Sequence, residues 1–164
     1  MEPAALVRNE GELSLSGAAL TELMTAVLAK GKAFRFRARG WSMSPFVKDG
    51  DILTVAPLGG RQPRTGEIVA FLHPKTGRVA VHRIVRSAAG RYLIRGDNTD
   101  MADGTLEAER IVGVVAEVVR NGKTVRGVDG RAAVLVAWLS RTGRLVRGLG
   151  LLRALRGRGG KGAA

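Results

Sequence analysis

Ser42 lies in the run Gly40-Trp41-Ser42-Met43-Ser44-Pro45, and Asp49-Gly50-Asp51 follows shortly after. A serine hydroxyl becomes a nucleophile when a constrained turn exposes it and aims backbone N–H groups at the developing oxyanion. Glycine on one side and proline on the other supply such a constraint, although an ordinary surface turn has the same composition. The hydroxyl also needs a base. The chain has 2 histidines and no cysteine, which excludes disulfides and thiolate metal sites. His82 stands in Val81-His82-Arg83-Ile84-Val85, and an ordinary strand histidine fits that place equally well. His73, beside Pro74 and close to Lys75, reads as a solvated turn residue. Carboxylates follow in Arg95-Gly96-Asp97-Asn98, with Asp100 and Asp103 behind. The default role of aspartate in such a run is to close a turn.

Several elements must position these groups. Residues 16–30 predict a helix: Ser16 is a suitable N-cap, Leu20, Leu23, Met24, Val27 and Leu28 recur at helical spacing, and Gly31 is a suitable stop. Phe34, Phe36 and Ala38 then alternate with arginines, the pattern of a half-buried strand. Further apolar or alternating runs at 52–56, 67–72, 78–85, 91–95 and 111–119 are separated by turn-forming stretches. Many short strands with frequent turns predict a mainly β body rather than a parallel α/β sheet. The chain thus divides into an N-terminal helical segment (1–32), a β-domain (33–128), a basic amphipathic helix (129–156) and a disordered tail (157–164).

The two motif runs together, in this order, resemble the S24/S26 serine peptidases, the superfamily of signal peptidase I and LexA-type proteins. Gly40-x-Ser42-Met43-x-Pro45 with Gly50-Asp51 is similar to the nucleophile box. The proline after Ser-Met resembles the signal-peptidase branch more than the repressor branch. His82-Arg83 on a strand, then Gly96-Asp97-Asn98, is similar to the second box, and the likeness spans residues 37–119. Bacterial signal peptidases carry lysine where this chain has His82, which resembles the endoplasmic-reticulum and archaeal type. The replacement is chemically coherent. A lysine must be strongly desolvated to act as a base near neutrality, whereas histidine needs little tuning but does need an orienting carboxylate.

The resemblance implies a signal-peptidase/LexA-like β-barrel body. It implies Ser42 as nucleophile, with its own backbone N–H as oxyanion donor, and His82 as general base. Asp97 and Asp103 match the places of the orienting acids, Asp100 less well. Met43 would shape a shallow pocket for small side chains. Some relatives carry a second oxyanion hydroxyl where this chain has Gly40. The implied substrate is a precursor or leader peptide, with no cofactor and no metal. Arg95-Gly96-Asp97 spells an adhesion tripeptide, but it falls inside the second box.

The formal net charge is +13, and residues 131–164 carry eight basic residues and no acid. Within 131–155, Arg141, Arg144 and Arg147 face away from Leu135, Trp138, Leu139, Leu145, Val146 and Leu149. That is the pattern of an interfacial helix, which suits an anionic membrane surface; a helix capping the β body fits it too. No specific nucleic-acid partner is expected, because aromatic residues make up only 4% of the chain and leave few stacking platforms. No secretory signal and no run long enough to span a bilayer is visible, so a peripheral membrane or cytoplasmic location is expected. A non-catalytic module of the same fold, binding lipid or nucleic acid through the basic tail, is the competing expectation. A self-cleaving repressor relative fits less well, since no Ala-Gly pair precedes Ser42.

Overall fold

The computed structural model describes residues 7–9, 12–125 and Leu135. The helix α1 spans Gly17–Ala29, and the Ser16 hydroxyl oxygen accepts a hydrogen bond from the Ala19 N–H at 3.3 Å, as an N-cap should. Met24 and Leu28, one turn apart, are the buried residues of its inner face. Burying each contributes about 1.5–3 kcal/mol before entropy is counted.

Val7–Asn9 (β1) and Glu12–Ser14 (β2) form a separate antiparallel pair. The main sheet holds β3 (Phe34–Arg37), β4 (Ile52–Ala56), β5 (Ile68–Leu72), β6 (Val79–Ala88), β7 (Arg91–Arg95), β8 (Ala102–Glu107), β9 (Ile111–Arg120) and β10 (Lys123–Thr124). Its spatial order is β3-β4-β9-β5-β6-β7-β8, with β10 beside β9 and every pairing antiparallel. β5 is central and buried on both faces. Val69 and Phe71 join Ile84, Tyr92, Ile94, Leu106 and Ile111 on one side, while Ala70 meets Met24, Leu28 and Val55 on the other.

The mainly β expectation holds, and the sheet that forms this body is antiparallel and does not close into a complete barrel. Among the described residues β3 and β8 are ends of an open sheet, and neither pairs with the other. Register shifts at Thr54/Val55, Ala70/Phe71, Ile84/Arg86 and Ile94/Arg95 bend this sheet strongly, as bulges do. Among the described residues the first half of β6 has no strand on its β7 side, since pairing with β7 begins only at Arg83. Thr21 of α1 takes up part of this gap, its hydroxyl oxygen accepting from the Val79 N–H at 2.9 Å. No helix among the described residues is long and apolar enough to cross a membrane. The expected helix at 129–156, apart from Leu135, and the tail at 157–164 lie outside the described residues.

Candidate active site

The serine box follows β3 as a compact turn. Ser44 N–H reaches Trp41 O at 3.1 Å, and Val47 N–H reaches Met43 O at 3.0 Å. Asp49 ties the entrance, its carboxylate accepting from the Gly40 N–H at 2.8 Å. Gly40 therefore brings no hydroxyl to the site, and its N–H is already committed. The loop between β7 and β8 clamps the same turn from the other side. Asn98 donates its backbone N–H to Ser42 O at 2.7 Å and its side-chain amide to Trp41 O at 3.2 Å. The Asp97 N–H points at the Met43 sulfur at 3.4 Å. This approach is close enough to require glycine at position 96, where an added Cβ would lie 2.7 Å from Ser42 O.

Two arginine–aspartate pairs brace this arrangement. Arg83 and Asp97 are both fully buried, with Nε on Oδ1 at 2.9 Å and Nη2 on Oδ2 at 2.8 Å. Arg83 also donates to Gly66 O at 2.7 Å and lies 5.4 Å from the Phe46 ring centroid. At the other end of the box, Arg120 of β9 grips both oxygens of Asp51 at 2.8 and 2.7 Å and donates to Phe46 O at 3.1 Å. Burial would push the Asp51 carboxyl up, but the Arg120 hydrogen bonds and the Lys48 N–H outweigh it and hold it below 3.8. The same pairing raises the Arg120 guanidinium.

Ser42, His82 and Asp103 meet in one line. His82 is the last residue of β6 before β7 joins, so its ring is not covered by a strand on that side. The Ser42 Oγ stands 2.8 Å from His82 Nε2, and His82 Nδ1 stands 2.6 Å from Asp103 Oδ2. A carboxylate only accepts, so Nδ1 carries the proton, and Nε2 is left to accept from the serine hydroxyl. The His82 and Asp103 side chains are 13% and 12% exposed, shielded yet reachable. Phe71 backs the imidazole, with ring centroids 5.9 Å apart. Asp103 owes its aim to the register shift in β8: Ile94 pairs with Gly104 and Arg95 with Ala102, which leaves Asp103 as the extra residue of a bulge. Gly104 takes φ 116, open to glycine and strained for other residues.

Of the residues expected at the site, Ser42, His82 and Asp103 come together. Asp97 is corrected as an orienting acid: both its oxygens lie on Arg83, on the far side of β6 from His82. Asp100 is exposed at the head of β8, and Lys75 is exposed in the turn after β5. Met43 is 4% exposed and lines a cleft of about 300 Å³ between β3 and the start of β6, with Phe36, Leu53, Val79, Val81, Arg37 and Arg39. Among the described residues nothing accepts a hydrogen bond from the Ser42 N–H, which leaves it available. No group of histidine and carboxylate side chains there is arranged to hold a metal ion. Sequence reasoning did not find the bracing by Arg83, Arg120 and Asn98. The strict alternation of β6 did carry one signal, since adjacent His82 and Arg83 must face opposite sides.

No curated protein matches the chain. The model of the family described as Peptidase S24-like matches residues 8–119, which covers both motif runs and nearly the whole β body. The chain therefore belongs to the Peptidase S24-like family.

Proposed function

We propose that this protein is a serine endopeptidase of signal-peptidase type that cuts a precursor or leader peptide after a small residue. The observation that carries this reading is the hydrogen-bonded line from Ser42 through His82 to Asp103. His82 Nε2 takes the hydroxyl proton as Ser42 Oγ attacks the scissile carbonyl, and Asp103 stabilises the imidazolium that forms. The Ser42 N–H donates to the developing oxyanion. His82 returns its proton to the leaving amine, then draws one from the water that hydrolyses the acyl-enzyme.

The cleft supports an extended peptide as substrate. Because the Val79 N–H points to Thr21 and away from β5, the strand's alternation turns the Val81 N–H and C=O the same way. A peptide laid along this free edge would pair with β6 as a strand does. The floor at Met43, Phe36 and Leu53 suits small apolar side chains in a space of this size. The basic segment 131–155 is proposed to bring the site to an anionic membrane surface, which flotation with anionic liposomes at low salt checks.

The decisive assay incubates the protein, with and without lipid, with a precursor bearing a small-x-small site. Ser42→Ala and His82→Ala are each expected to lower the rate by about 10⁴-fold or more. Cleavage should rise as His82 loses its proton. Undiminished cleavage by both variants contradicts the assignment.

A further inference from the structure

The second histidine of the chain lies beside the same carboxylate. His73 follows β5 directly, and its Nε2 stands 3.8 Å from Asp103 Oδ1, while His82 occupies Oδ2. Both rings flank the buried Phe71, with centroid separations of 6.3 and 5.9 Å. The alternation of β5 and β6 places His73, Phe71 and His82 on one face. The His73 side chain is 25% exposed, more open to solvent than that of His82 at 13%. Its tautomer is fixed locally: Nδ1 accepts from the Lys75 N–H at 3.3 Å, which leaves the proton of the neutral ring on Nε2, facing Asp103.

We propose that His73 is a positioning residue for the Ser42–His82–Asp103 line, facing the second oxygen of Asp103 and coupling its own proton to that of His82. The inference rests on the peptidase reading for its consequence in catalysis, and on geometry alone for the coupling. Neutral His73 leaves its Nε2–H 3.8 Å from Oδ1, too far for a hydrogen bond but near enough for its dipole to favour the rotamer that keeps Oδ2 on His82. Protonated His73 places a cation beside the carboxylate that must balance the His82 imidazolium. Two cations then share one anion, and charging one ring resists charging the other. The other ionisable groups carried by the turn and by the start of β8 are Lys75, Arg78 and Asp100, all exposed. None of these three forms an ion pair with His73 or Asp103 among the described residues.

The full chain holds only 2 histidines, so in His73→Gln the one remaining imidazole signal is that of His82. In the wild type the two ring signals, followed by NMR against pH, are expected to titrate over a span wider than a single proton gives. In His73→Gln the His82 signal is expected to follow a one-proton curve displaced to higher pH, its protonation equilibrium changed by about threefold or more. On the precursor, His73→Ala should lower kcat by about tenfold with KM little changed, and His73→Gln, which keeps an N–H donor, should recover most of that loss. One-proton curves in the wild type and an unmoved His82 curve in the variant overturn the coupling. Equal losses in the two variants overturn the positioning role. The ring titration needs no substrate, so a protein that cuts nothing would sink the peptidase reading while this result still stands or falls alone.

Discussion

Asp97 and Asp103 stand close together in the chain, yet they belong to two different regions of the molecule. Asp97 is fully buried and spans a guanidinium with both oxygens. Asp103 sits at a partly open rim, with one oxygen on the His82 imidazole and the other 3.8 Å from that of His73. The partner decides what each can do. A guanidinium never releases its proton near neutrality, so the Arg83–Asp97 pair is a strut. An imidazole does release one, so the line at the rim can move a proton. The strut matters to the rim because the loop that carries Asp97 also carries Asn98, which holds the Ser42 carbonyl. One carboxylate thus fixes where Ser42 sits, and the other fixes how the His82 ring is turned.

This contrast can be broken from either side. The largest effect is expected at the rim: Asp103→Asn should lower kcat/KM by about 10³–10⁴-fold while the thermal midpoint barely moves, since the amide leaves His82 in the wrong tautomer. A thermal scan and a progress curve on the same sample check this. Asp97→Ala should do the opposite first, costing about 3–5 kcal/mol of stability by removing the carboxylate that spans the buried Arg83 guanidinium, as read by urea unfolding. The second brace should be milder, with Asp51→Asn costing about 1–3 kcal/mol near neutrality. Its pH dependence has a definite sign. The folded Asp51 carboxyl lies below its ordinary 3.8, so its stabilisation is full above that value and fades as pH falls through the lower folded value. The stability gap between wild type and Asp51→Asn should therefore close on acidification below about pH 4. A gap that widens there would mean Asp51 is not held as an anion by Arg120.

Much of this is legible in the sequence. The helix at 16–30 is found at Gly17–Ala29, and the runs at 52–56 and 91–95 coincide with β4 and β7. Their apolar periods are strong, and their ends are marked by capping or turn residues. β8 escaped because Ala-Asp-Gly-Thr-Leu-Glu has weak strand propensity and buries only Leu106. That omission left Asp97 and Asp103 equally eligible to orient His82. Asp97, Asp100 and Asp103 are alike as letters, and the bulge that singles out Asp103 depends on pairing with β7, a tertiary fact. The openness of the β body was not legible for a related reason. Short strands and turns show that a sheet forms, but not whether its ends meet. Arg83 with Asp97, and Arg120 with Asp51, join residues far apart in the chain, and nothing local announces such partners.

The most direct test of the site is covalent capture at Ser42. A small fluorophosphonate, followed by intact mass and peptide mapping, needs no knowledge of the natural substrate. A single adduct on Ser42 is expected in the wild type, none in Ser42→Ala, and one formed at least about 100-fold more slowly in His82→Ala. A wild-type protein that takes up no label, or one labelled equally fast without its imidazole, would contradict the assignment of Ser42 as a nucleophile activated by His82.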